Sequence, residues 1–181
     1  MKRIGELVHV DCHQLSRGIT IAEPKKTYYL VGLIDSYSRL AWEEVLEDKK
    51  SLTVIFAVLK SLNMLKHRYK FEKEAIMTDN GAEFGSRRFS KNKENHPVER
   101  LLAEMEIKYR YTRPYRPQTN GKIERFWKTL HEDFIEDALY EDVTDMRNEL
   151  LGFLVYYNEH RPYSAIGALT PLEKSPNHVT N

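Results

Sequence analysis

The stretch Thr27-Tyr-Tyr-Leu-Val-Gly-Leu-Ile34 constrains this chain most, because it is apolar on both of the faces that a strand would present. A run this short, preceded by Pro24 and followed by the turn residues Asp35-Ser-Tyr-Ser38, predicts a central strand covered on both sides. Its neighbours alternate instead. Leu7-Val-His-Val-Asp-Cys12 places Val8, Val10 and Cys12 on one face and Leu7, His9 and Asp11 on the other, and Arg39 to Leu46 alternates again. The short connections predict an antiparallel meander of three strands.

Helices must then supply the cover. Leu52, Ile55, Phe56, Leu59 and Leu62 fall at helical spacing after Ser51, predicting a helix over 52–66 with Ser51 as its N-cap. Ala75 to Thr78 reads as a fourth strand ending in the turn chemistry of Asp79-Asn-Gly81. Residues 85–96 are polar and mostly basic, a loop by composition. Pro97 opens a helix carrying Leu101, Leu102 and Met105. Ile107, Tyr109 and Tyr111 alternate with Lys108 and Arg110 as a fifth strand. Pro114 and Pro117 forbid regular structure up to about Thr119. Beyond them Ile123, Trp127, Leu130 and Phe134 mark the buried stripe of a long helix. Glu124, Lys128 and His131 share a neighbouring, more exposed face. A last helix over 144–159 buries Leu150, Leu154 and Tyr157 and ends before Pro162. The expected fold is α/β, a five-stranded mixed sheet flanked by helices.

Composition narrows the function classes. The 181 residues are 41% hydrophobic and 30% charged, suited to one soluble domain. A single cysteine, Cys12, excludes an internal disulfide, and no zinc-finger spacing is present. The N-terminus lacks the apolar core of a signal peptide, and no run is long enough to cross a membrane, so a cytoplasmic protein is expected. Net charge is only +1, yet the charges are segregated. Residues 107–128 carry seven Lys or Arg with Glu124 as the lone acid, whereas residues 132–149 hold eight acids against Arg147. The first block has the character of a polyanion-binding face.

Three acids occupy unusual places: Asp11 inside the first strand, Asp79 at the end of the fourth, and Glu124 near the start of the long helix. Strand ends and adjacent helix starts converge on one edge of an α/β sheet. Carboxylates gathered there suit Mg²⁺ or Mn²⁺, which serve phosphodiester chemistry. Each acid alone also has an ordinary reading. Asp79 shapes a turn, Asp11 pairs with a buried cation, and Glu124 pairs with Lys128 at i,i+4. His9, Asp11 and His13 imitate a zinc site but read more simply as packed or solvated, and Asp35 reads as a turn cap.

Taken together, Val10-Asp11, Leu33-Ile-Asp-Ser-Tyr-Ser-Arg39, Thr78-Asp-Asn-Gly-Ala-Glu-Phe84, Arg116-Pro-Gln-Thr-Asn-Gly-Lys-Ile-Glu-Arg125 and Tyr157-Asn-Glu-His-Arg-Pro162 with Thr170-Pro171 span most of the chain. In order and context they resemble the catalytic core of retroviral integrases and bacterial insertion-sequence transposases, the Asp-Asp-Glu group with a ribonuclease H-like fold. The resemblance implies a transposase or integrase that cleaves DNA ends and transfers strands. It assigns Asp11, Asp79 and Glu124 as catalytic metal ligands, with two Mg²⁺ or Mn²⁺ ions when DNA is bound. It implies DNA contacts from Asn80, Gln118, Asn120, Gly121, Lys122, Arg125, Lys128 and His131. The partners implied are element ends and target DNA, with a homodimer or higher oligomer and no membrane. An integrase-type core over 1–163 and a C-terminal extension over 164–181 are expected.

Two departures stand out. Asp79 and Glu124 are separated by 44 residues, a longer gap than in retroviral members, and Tyr163 stands where many relatives have His. Two rival readings remain at this stage. A ribonuclease H-like nuclease usually has a Glu on the first helix, and residues 51–66 contain none. A non-catalytic DNA-binding module would not need the three acids. With no room before the first strand for an end-recognition domain, weak and largely sequence-independent DNA binding is expected of this chain.

Overall fold

The computed structural model describes residues 1–79, 81–85, 96–112 and 121–175. Residues 86–95 of the loop expected over 85–96, the proline-bounded segment 113–120 and the C-terminal end from 176 lie outside the described residues, as do Asn80, Gln118 and Asn120. The meander forms as its short turns require: β1 (Val8–Gln14), β2 (Tyr29–Asp35) and β3 (Ala41–Leu46) pair antiparallel. A parallel half follows. After α1 (Ser51–Tyr69), β4 (Ala75–Thr78) pairs with β1, and after α2 (Pro97–Glu104), β5 (Lys108–Tyr111) pairs with β4. The mixed sheet has the order β3-β2-β1-β4-β5, so the apolar run of β2 lies inside the sheet as its two-sided burial demands.

The helices cover opposite faces. Adjacent residues of a strand point to opposite sides, and on β3 Glu44 pairs with Lys60 of α1 at 2.6 Å while Glu43 faces the other way. That other face is covered by α3 (Gly121–Leu130) and α4 (Val143–Glu159), which pack through Phe126 and Tyr157 with ring centroids 4.9 Å apart. Asp142 caps α4, accepting from the backbone N–H of Thr144 at 2.7 Å and of Asp145 at 2.9 Å. The long helix expected from about 119 is two pieces: α3, then a π-helical turn, His131–Ile135, that carries Phe134 into the core.

The first helix differs from its sequence reading in two respects. Its buried stripe runs through Ile55, Val58, Leu62, Leu65 and Tyr69, whereas Leu52 and Phe56 are 60% and 68% exposed. The i,i+3,i+4 spacing fits either stripe, and the sheet selects the one continued by Leu65 and Tyr69. Ser51 also does not cap the helix. Lys50 holds the cap position, and the Ser51 hydroxyl lies 3.0 Å from Nε2 of His96 at the start of α2. The segment after α4 packs back on the core, the Leu172 N–H donating to the carbonyl of Asn158 at 2.9 Å.

Candidate active site

Parallel pairing of β1 with β4 puts Val10 opposite Thr78, so Asp11 and Asp79 are the next residue of each strand line. Their carboxylates are close enough to repel. Burial holds the Asp11 carboxyl above the usual carboxylate range, the Trp127 indole hydrogen bond opposes this, and the Asp79 charge adds to it. Asp11 Oδ2 accepts from Nε1 of Trp127 at 3.0 Å, and Oδ1 accepts from the Cys12 N–H at 2.9 Å. Asp79 Oδ1 accepts from the Gly81 N–H at 2.8 Å, the turn role open to it from sequence. Each carboxylate keeps further lone pairs for a cation.

Trp127 couples α3 to the sheet. Asp11, Gly32 and Glu43 form one row across three strands, and the indole lies over Gly32. A Cβ at Gly32 would meet the Trp127 ring at 2.7 Å and Glu43 Oε1 at 3.3 Å, so this position requires glycine. His13 stacks on the same indole with centroids 5.2 Å apart. Burial and then the nearby His131 depress the affinity of His13 for a proton. Neither ring shares a metal site with Asp11: His9 is buried with Nε2 2.7 Å from the Ser36 hydroxyl. Asp35 accepts from the Gly5, Tyr37 and Ser38 N–H groups and the Ser38 hydroxyl, a turn cap as its position suggests.

Glu124 lies in the first turn of α3 and is exposed. It stands three residues before Trp127, which places it on the flank of α3 that adjoins Asp11. The alternative reading of Glu124, a pair with Lys128, is not what forms: Lys128 reaches Glu132 at 3.6 Å instead. Among the described residues no group of three or more His, Cys, Asp or Glu is close enough to hold a metal ion. The structure thus brings Asp11 and Asp79 together, and Glu124 does not complete a three-residue group with them.

Sequence reasoning missed a fourth acid. Glu83 is buried beside Asp79, and its carboxylate is held by Lys49 at 3.1 Å. Hydrogen bonding to Glu83 raises the Lys49 pKa, so the ammonium stays charged. Asp79, Glu83, Lys49 and Cys12 line an open cavity of about 710 Å³. Gly81 permits this crowding, since a Cβ there would meet Glu83 Oε2 at 2.7 Å and Asp79 Oδ1 at 2.9 Å. Thr78 and Tyr109 brace the turn: their hydroxyls lie 2.8 Å apart, and the Tyr109 hydroxyl donates to the Phe84 carbonyl at 2.8 Å.

The expected cationic track divides. At 100° per residue, Lys122 and Lys128 point about 120° apart around α3. Lys128 and His131 share the Glu124 flank. Lys122 and Arg125 instead line a cavity with Arg39 and Arg161, Lys122 on the flank away from Glu124 and Arg125 between the two, and the Lys122 ammonium lies 3.2 Å from the Ser36 hydroxyl. Gly121 is exposed with open space around it.

Two family models described as integrase core domains match residues 8–117 and 105–171. A relative named "Putative integrase ORF3", from Spiroplasma virus SpV1-C74, is 29% identical over 151 residues, 81% of this chain. The chain spans 41% of that relative's length. The BIV integrase catalytic core superposes with a TM-score of 0.62 at 23% identity, covering 93% of this chain and 92% of that one. The HTLV-2 integrase core, solved with magnesium in a trimeric form, gives 0.60 at 18% identity, covering 94% and 96%. The fold is that of retroviral integrase cores, ribonuclease H-like as the sequence motifs imply.

Proposed function

Because the chain belongs to the integrase core domain family, we propose that it is a metal-dependent polynucleotidyl transferase that cleaves DNA ends and joins them to target DNA. The observation that carries the proposal is the pair of adjacent carboxylates, Asp11 and Asp79, at the β1–β4 edge beside the flank of α3 that bears Glu124. Two buried or half-buried acids that repel each other are a donor set for a hard divalent cation. Asp11 and Asp79 fit this role as they stand. Glu124 is proposed as the third ligand of this set.

Mg²⁺ or Mn²⁺ bound by these acids supplies charge stabilisation for phosphodiester attack by water and then by a DNA 3′-hydroxyl. The chain's own residues set the stage. Trp127 fixes the Asp11 carboxylate through Oδ2, and Lys49 draws the Glu83 charge away from Asp79. Lys128 and His131 are placed to meet phosphates on the Glu124 flank, with Asn80, Gln118, Asn120 and Gly121 as further DNA contacts. No covalent protein–DNA step is required. The core is taken as residues 1–163, with a C-terminal extension from 164 that packs back through Leu172.

Exposed Leu52 and Phe56 of α1 offer an apolar strip for self-association, matching the multimeric form of the HTLV-2 core. No helix among the described residues is long and apolar enough to cross a membrane, and a cytoplasmic site of action is proposed.

The test is incubation of the chain with a short labelled duplex in Mg²⁺ or Mn²⁺. Strand-transfer products that disappear with Asp79→Asn support the proposal. Cleavage without joining would favour a nuclease, and no reaction in either metal with DNA binding intact would favour a binding module.

A further inference from the structure

A second cavity of about 450 Å³ opens on the side of α3 turned away from Asp11. Three separate pieces of chain build it. The β2–β3 turn gives Arg39, α3 gives Lys122, Arg125 and Thr129, and the segment after α4 gives Arg161 and Ser164. Arg161 comes from the Asn158-Glu-His-Arg-Pro162 motif, to which the proposed chemistry assigns no task.

The cations are poorly neutralised. Among the described residues Arg39, Lys122 and Arg125 form no ion pair with a carboxylate. Arg39 donates to the Ser36 carbonyl, and Lys122 lies against the Ser36 hydroxyl. Arg161 is anchored by Asp133 at 3.0 Å. Glu132 at the rim is engaged with Lys128, and Asp35 beneath is occupied by its own turn. Burial, and then the nearby Arg39 charge, lower the Lys122 pKa, and the Asp35 and Glu6 carboxylates offset this only in part. Like charges drawn around a concave polar space are stabilised when an anion fills it.

We propose that this cavity is a second phosphate-binding site, taking a DNA backbone phosphate other than the one that reacts. The inference rests on the DNA-directed function proposed above. Across an α-helix about 10–12 Å in diameter, with one phosphate per ~3.4 Å along a strand, the two phosphates are roughly three steps or more apart. The site reads no sequence. It sets the register of the duplex on α3, so that the reacting phosphate meets Asp11 and Asp79.

The experiment measures binding of a short fluorescein-labelled duplex to the full chain by anisotropy, in metal-free buffer over a range of salt. Lys122→Gln combined with Arg125→Gln is expected to weaken binding several-fold and to make the slope of log K against log salt shallower by about one to two. Lys122→Gln combined with Arg125→Lys recovers part of the slope, and Lys25→Gln, an exposed cation elsewhere, leaves it unchanged. Thermal melting checks that each variant folds. An unchanged slope in the double variant, or an equal change with Lys25→Gln, would overturn the proposal. So would saturable binding of inorganic phosphate, lost in the double variant while duplex binding persists, which would mark a small-anion site. Because no metal is present in the binding assay, failure of the transferase reading, seen as cleavage without joining or as no reaction in Mg²⁺ or Mn²⁺, is read separately.

Discussion

Trp127 donates its indole hydrogen to Oδ2 of Asp11 at 3.0 Å, joining two residues 116 positions apart in the chain. The bond fixes the carboxylate and favours its charged form against burial and the Asp79 charge. Trp127→Phe keeps most of the packing and removes the donor. Metal-dependent activity should fall about 10- to 100-fold. The acidic limb of the pH–activity profile should move to higher pH, since the group that lowers the Asp11 pKa is gone. Rate profiles at fixed Mn²⁺ measure both effects.

Gly32 is the floor on which that indole rests. Gly32→Ala places a methyl 2.7 Å from the ring and must displace it from Asp11. Overpacking of this kind costs about 1–3 kcal/mol, and at about 2–4 °C per kcal/mol the melting temperature should drop measurably. Activity should drop further than stability alone explains, because the Asp11 bond is lost as well. Melting curves and rates for one preparation separate the two.

Glu43, two strands from Asp11 in the same row, is buried, and neither carboxylate oxygen has a hydrogen-bond partner among the described residues. Burial raises its pKa well above the usual value. The folded state therefore keeps a proton that the unfolded chain releases, so the contribution of Glu43 to stability is fully present below about pH 4.3 and is lost as pH rises through the folded pKa. Glu43→Gln should flatten this dependence, with a higher melting temperature than the parent at pH 8 and little gain at pH 4. Thermal melts across that range check the sign.

Glu83 raises the Asp11 pKa through its charge. Glu83→Gln removes that charge, so the acidic limb of the activity profile should shift to lower pH, opposite to Trp127→Phe. The Lys49 ammonium, released from its 3.1 Å pair, should become a phosphate contact and steepen the salt dependence of DNA binding. Anisotropy and pH–rate profiles of the variant test both.

The sheet was legible because its information is local. The two-sided apolar run became β2, the alternating flanks became β1 and β3, and Asp11 and Asp79 fell next to each other once β1 paired with β4. Contacts set by packing angle were not legible. Trp127 read as one member of a buried stripe, since periodicity shows that a face is buried and not which atom its indole N–H will reach. Glu83 stood inside the Thr78-Asp-Asn-Gly-Ala-Glu motif and passed unassigned because Lys49, its partner, lies far away in sequence. The cations after Ile107 read as one track because sequence order hides the turn of the helix, which points Lys122 about 120° away from Lys128 and takes Lys122 and Arg125 into a cavity of their own. Gly32 within an apolar strand was the available signal for the close approach of another group.

Asp11, Asp79 and Glu124 are proposed to act as one metal-binding set, and Glu124 is the most informative of the three because it does not complete a three-residue group with the other two in this structure. The measurement is the rate of strand transfer of a short labelled duplex in Mn²⁺ by the Glu124→Gln variant and the parent chain, at equal DNA-binding saturation. The account predicts that the variant binds DNA and melts like the parent while transfer falls to background. Transfer at the parental rate would contradict it.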